Sequence, residues 1–142
     1  MVKQVSVFLE NRAGRLHEVT NLLAKSGLNI RALSLADTSD FGILRIILND
    51  PEAGLEVLRK EGYTVSTTDV VAIEVDDKPG GLARALGIFH DNGINIEYMY
   101  AFLGKDPAKA IMIFRFDDNS SVMKKLEGKG VQQIEAKDLY AL

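Results

Sequence analysis

Glu10-Asn11-Arg12-Ala13-Gly14-Arg15-Leu16 and Asp76-Asp77-Lys78-Pro79-Gly80-Gly81-Leu82 read as one turn written twice, 66 residues apart. The same shift lays Val5 on Val71, Gly27 on Gly93, Asn29 on Asn95 and Ile30 on Ile96. Between these identities the polarity tracks, with Val7 over Ile73, Leu9 over Val75 and Leu22 over Ile88. Beyond them the register needs two extra residues in the second copy, near Lys105-Asp106-Pro107; then Ile46 meets Phe114, Leu48 meets Phe116 and Gly62 meets Gly130. One small gap, placed in a turn, is what an internal duplication leaves, and such a repeat sets the architecture. The expected domains are residues 1–68 and 69–142, with Thr68-Asp69 as the link.

Each copy predicts strand, helix, strand, strand, helix, strand. Val5, Val7 and Leu9 alternate with polar residues, the period of a half-buried strand. From Leu16 the apolar spacing turns helical through Val19, Leu22 and Leu23, and Gly27 ends that helix. Asp40-Phe41-Gly42 predicts a turn between the second strand and a third over residues 43–48. Asp50-Pro51 starts a second helix, Gly62 closes it, and residues 63–67 make the fourth strand. In the second copy Leu82, Ala85, Leu86 and Phe89 form the first helix stripe, and Gly93 closes it. Strands over residues 94–102 and 110–116 follow, then a helix over 120–126, a last strand from Val131 and an apolar tail, Leu139-Tyr140-Ala141-Leu142. The fold class is therefore α+β: two ferredoxin-like βαββαβ domains, antiparallel four-stranded sheets with helices on one face, packed side by side. Units of about 70 residues are marginal alone and their edge strands invite pairing, so a homodimer is expected.

Composition narrows function by exclusion. A 142-residue chain with 17 basic and 20 acidic residues carries a net charge of −3, which predicts neither a nucleic-acid nor a membrane partner. With no cysteine, disulfides, thiolate nucleophiles and cysteine-ligated metals are excluded. The strand pattern starts right after Met1-Val2-Lys3-Gln4, with no apolar signal core, and a cytoplasmic location is expected. No phosphate-binding loop or dinucleotide fingerprint occurs, so no cofactor is expected. His17 and His90 fall at different helix positions in the two copies, and Glu10 and Asp76 lack a nucleophile partner. No catalytic or metal-ligating residue is predicted.

The turn between first strand and first helix carries the most chemistry. A helix N-terminus offers unpaired N–H groups and partial positive charge, which suits a carboxylate. Gly14, Gly80 and Gly81 allow close approach to the backbone. Asn11 and Asp77 put an oxygen beside it for an ammonium group. Together these groups match the zwitterionic head of an α-amino acid. Asn, Asp and Gly before a helix are also what an ordinary capped turn contains, and Asn29 and Asn95 after the helix-ending glycines also suit tying down the exit.

The two turns, with the exits Gly27-Leu28-Asn29-Ile30 and Gly93-Ile94-Asn95-Ile96, resemble the ACT family of small-molecule regulatory domains. The second turn follows that family's Asp-x-Pro-Gly-x-Leu pattern; the first departs from it at Ala13, where proline is expected, and is crowded by Arg12 and Arg15. The resemblance implies amino-acid binding where ACT domains meet, between the strand–helix loop of one and the second strand of its neighbour. Carried over by motif, it nominates Asn11, Ala13, Gly14 and Leu16 with Asn29, Ile30 and Arg31 in the first copy. In the second it nominates Asp77, Pro79, Gly80, Gly81 and Leu82 with Asn95, Ile96 and Glu97. The two sites are expected to be unequal.

The resemblance thus implies a non-catalytic amino-acid sensor that modulates a partner metabolic enzyme or its own assembly. The alternative is a structural pairing module without ligand. An RNA-binding module shares the strand order, but the aromatic pairs with flanking basic residues that it needs are poorly matched: residues 43–48 have none, and Phe114-Arg115-Phe116 is a partial match.

Overall fold

A computed structural model describes residues 1–37, 40–102 and 104–142, with the side chain of Asp37 outside the description. The chain divides into two compact units, Lys3–Thr68, and Asp69–Leu142 with Met1–Val2. The first unit runs β1 (Val2–Glu10), α1 (Arg15–Lys25), β2 (Ile30–Asp37), β3 (Phe41–Leu48), α2 (Pro51–Lys60) and the opening of β4 (Thr64–Asp76). Its strand order is β2-β3-β1-β4. Val5 faces Ile46 and Val7 faces Leu44 across the antiparallel β1–β3 ladder. Those four side chains, with Leu9 and Leu48, close on Val19 and Leu23 of α1 and Leu58 of α2. One face of the sheet thus carries both helices, because alternation puts every second apolar residue there.

The second unit takes the rest of β4, then α3 (Gly81–Asp91), β5 (Ile96–Phe102), β6 (Lys109–Phe116), α4 (Asn119–Leu126), β7 (Gln132–Ile134) and α5 (Ala136–Tyr140). Its order is β7-β4-β6-β5, the same ferredoxin-like βαββαβ arrangement expected from the sequence. Where the first core is aliphatic, this one holds three phenylalanines. Phe89 meets Phe114 and Phe116 edge-on at 5.2 and 5.4 Å, and Phe114 stacks on Phe116 at 5.6 Å.

Three boundaries differ from the sequence reading. Phe41 and Gly42 belong to β3, because Glu10 and Leu9 extend the β1 ladder opposite them. Residues 68 and 69 lie inside the single strand β4, and the Asp69 carbonyl accepts hydrogen bonds from Arg115 Nη1 at 3.0 Å and Asn119 Nδ2 at 2.7 Å. The last strand is three residues long, and the tail forms a short helix with Leu139 fully buried.

Candidate functional site

Gly14 and Gly80 stand at the N-caps of α1 and α3 with φ of 90° and 86°, left-handed values that a side chain makes costly. The loop before each glycine is clamped by one equivalent backbone bond. Asn11 N–H donates to the Asp40 carbonyl and Asp77 N–H to the Ala108 carbonyl, both at 3.0 Å. The side chains of Asn11 and Asp77 are exposed and have no hydrogen-bond partner among the described residues.

These helix starts lack the side-chain cap that the second helix of each copy has, as does the short α5. At α2 the Asp50 carboxylate accepts from Ala53 N–H, and at α4 Asp118 accepts from Ser121 N–H, each at 3.1 Å. These are ordinary side-chain caps. At α1 and α3 no side chain caps the helix. The same two helices of each copy are thus treated differently: the ones that start after the loop keep N–H groups open toward an anion.

The nominated loop residues Asn11, Ala13 and Gly14 lie exposed, as do Asp77, Pro79 and Gly80; Leu16, Gly81 and Leu82 are half-buried at the base. Gly81 is held by contact rather than by φ, since a Cβ there would stand 1.9 Å from the Asp76 carbonyl oxygen. Of the strand residues, Asn29 is engaged through its backbone: its N–H donates to Asn49 Oδ1 at 3.0 Å and its carbonyl accepts from Asn49 N–H at 3.2 Å. The side chain that ties down this exit is that of Asn49, and the Asn29 side chain lies exposed. Asn95 is exposed, and Ile30, Arg31 and Ile96 are half-buried. Glu97 is drawn into an ion pair with Arg115 on β6, Oε2 to Nε 3.5 Å. Tyr100 and Phe102 are buried, as packing residues are.

The carboxylates that open the two loops are both engaged by cations. Glu10 lies 3.4 Å from Arg12 Nε and 3.9 Å from Arg15 Nη2. Asp76 accepts from Lys109 Nζ at 2.5 Å, with Lys78 at 3.9 Å. The hydrogen bond from Lys109, helped by its charge, holds the Asp76 carboxyl below its usual range, and the same bond holds the Lys109 ammonium above its own. Lys109 carried no signal in the sequence, because its partner sits 33 residues away across a ladder. Among the described residues no group of three or more His, Asp or Glu side chains is gathered for a metal ion, and no helix is long and apolar enough to cross a membrane.

A family model described as an ACT domain pair matches residues 1–142. A solved crystal structure of a protein from Bacteroides thetaiotaomicron is 42% identical, covering 99% of this chain and 96% of that one, with a TM-score of 0.91. The ligand-free regulatory subunit of aspartate kinase from Thermus thermophilus is similar in fold, with a TM-score of 0.64 at 13% identity over 88% of this chain and 90% of that one. The corresponding subunit from Thermus flavus gives a TM-score of 0.60 at 16% identity, over 88% of each chain. No curated protein matches the sequence.

Proposed function

The chain belongs to the ACT domain pair family, and from that premise we propose that it is a non-catalytic regulator that binds an amino acid at the loops preceding α1 and α3. The observation that carries this reading is the combination at each loop of a clamped backbone, an unoccupied Asn11 or Asp77 side chain, and a helix start without a side-chain cap. The ligand carboxylate takes the open N–H groups and the ligand ammonium takes the Asn11 or Asp77 oxygen. Residues at the entry of the second strand, Asn29, Ile30 and Arg31 or Asn95 and Ile96, complete the site from a neighbouring domain. The Thermus neighbours are regulatory subunits of aspartate kinase, which supports an output through a partner enzyme.

A homodimer fits the distribution of exposed apolar side chains. Phe8, Leu33, Leu35 and Phe41 are each about half exposed, and all lie on the first unit's sheet, two of them on its edge strand β2. By register Phe8 and Phe41 lie on the face away from the helices, and Leu33 and Leu35 on the helix-bearing face at the sheet edge; exposed apolar side chains of this kind also favour the second reading, a pairing module without ligand. Thermal unfolding against each common amino acid at millimolar concentration separates the two. A ligand present at about a hundred times its dissociation constant adds roughly 2.7 kcal/mol, a rise of about 5–10 °C for a chain this size. Asp77→Ala is expected to weaken that ligand by about 1–3 kcal/mol, the scale of a lost charge-assisted hydrogen bond. A chain that ignores every amino acid, yet runs as a dimer in light scattering, is the pairing module instead.

A further inference from the structure

The two copies differ at the wedge between the first helix and the chain entering the last strand, which touches the end of each loop at Arg15 and at Gly81. In the first copy Arg15 Nη1 is 2.9 Å from Glu18 Oε2, the Tyr63 hydroxyl donates to the same oxygen at 3.3 Å, and the Arg15 guanidinium lies 5.3 Å over the Tyr63 ring. These three side chains hold one another in the wedge, although Arg15 Nε is buried there without a hydrogen-bond partner among the described residues. The depression left in front of them, about 400 Å³, is lined by α1 and residues 61–63 and by no residue of β1.

By the repeat register, Arg15, Glu18 and Tyr63 correspond to Gly81, Arg84 and Val131. Two bulky fillers are gone and the carboxylate has become a guanidinium. A cavity of about 200 Å³ runs in past them to the strand itself, reaching Ile73, Val75 and Asp76. Its volume is roughly that of six or seven waters in the liquid, below a drug-sized pocket and fit for a small metabolite. Arg84 reaches over Gly130, where a Cβ would stand 3.4 Å from its Nη2, and it makes no hydrogen bond or ion pair among the described residues. Asp76 across the cavity is already neutralised by Lys109. Glu74 also lines the cavity, so its walls carry two carboxylates and two cations; Arg84 is the cation among them without an ion pair to any described residue, exposed at the rim beside Ile88 and Val131 and acting on Asp76 only at longer range.

We propose that this cavity is a separate ligand site of the second unit, receiving a short aliphatic carboxylate with its head on Arg84 and its tail on Ile73, Val75 and Val131. A guanidinium matches a carboxylate bidentately, and the tail gains by leaving water. The carboxylate comes either from an aliphatic amino acid or from the corresponding simple acid, and the site shares Asp76 and Gly81 with the ends of the second loop while leaving residues 77–80 outside it.

The test is an assigned amide-resolved NMR titration of the full chain with L-leucine and, separately, 4-methylpentanoate. Shifts concentrated at Gly81, Arg84, Gly130 and Val131 are expected. R84A should weaken them roughly ten- to a hundredfold, R84K should retain part of the affinity, and V131Y should block the site as Tyr63 does in the first copy. A response to 4-methylpentanoate as strong as to leucine assigns the simple acid; a response to leucine alone assigns the amino acid. Shifts confined to residues 77–80 and indifferent to R84A overturn this site while leaving the loop reading intact. Silence at the cavity with both probes overturns it outright.

Discussion

The two copies share a backbone and little of their exposed chemistry. Both keep the left-handed glycine, the clamped loop, the uncapped first helix and the Asp-capped second helix, at Gly14 and Gly80 and at Asp50 and Asp118. At matched surface positions they part. Phe8, Leu33, Leu35 and Phe41 of the first copy correspond to Glu74, Met99, Ala101 and Lys109 of the second. The first copy thus shows Phe8 and Phe41 where the second shows the charges of Glu74 and Lys109, and the first fills with Arg15 and Tyr63 the wedge that the second leaves open. A backbone held by turn geometry and one buried face tolerates change everywhere else. The first copy accordingly exposes apolar side chains and the second carries the cavity, on one scaffold.

The largest contrast to test is in the cores. Leu23 and Phe89 are equivalent and both buried, the first among Val5, Ile46 and Leu48, the second against two further rings. Phe89→Ala is expected to destabilise the second unit by about 3–5 kcal/mol, and Leu23→Ala the first by about 2–5 kcal/mol. The edge-on ring contacts should widen the gap by about 0.5–1.5 kcal/mol. Amide exchange read separately in the two units, alongside urea unfolding, makes the comparison. A smaller loss at Phe89 than at Leu23 would show that the aromatic cluster is loosely packed and that the units are equally held.

Much of this was legible before any coordinates. Gly27 and Gly93 announce the left-handed exits of their helices, and the Val5-Val7-Leu9 alternation announces its buried face. The continuity of β4 was hidden because Thr68 and Asp69 read as a link, whereas Arg115 and Asn119 anchor the Asp69 carbonyl from far along the chain. The helical tail was hidden because Leu139 is one apolar residue in a short segment, too short for periodicity to choose helix over strand. The loops of the candidate site were visible as motifs. The wedge cavity was not, since it consists of what Gly81 and Val131 fail to fill, and only the folded first copy shows what would have filled it.

A middle-sized contrast lies in that wedge. Burial raises the Tyr63 hydroxyl above its ordinary range; Arg15 works against this and the Glu18 charge adds to it. Glu18→Gln removes that charge, so phenolate should form at lower pH, though burial keeps it above the value of a free tyrosine. Absorbance titration follows this, with Tyr63→Phe identifying the signal among the four tyrosines. The stability change should stay within about 1 kcal/mol, because Glu18 is largely exposed. If phenolate formation does not move, Glu18 and Tyr63 are not coupled in solution, and the wedge of the first copy is held by packing alone.

The smallest contrast is at the mouth of the loops, where the Asp76–Lys109 ladder pair of the second copy takes the place of Glu10–Phe41 in the first. Asp76 titrates below its ordinary range because of the Lys109 hydrogen bond, so its contribution is whole above the ordinary carboxylate range and fades as pH falls through the lowered value. Lys109 titrates above its ordinary range for the reciprocal reason, so its contribution is whole below the ordinary ammonium range and fades as pH rises through the raised value. The pair therefore adds a stability increment that is flat through neutrality and lost at both extremes. Lys109→Met brings the position closer to the apolar one of the first copy. The difference in urea midpoint between this variant and the parent should be constant near neutral pH and shrink in acid and in strong alkali. It should also shrink with added salt, since both side chains are about 40% exposed. A difference that ignores both pH and salt would mean that the Lys109 stem, packed along the sheet, matters more than its charge, and the two loop mouths would then differ in packing and not in electrostatics.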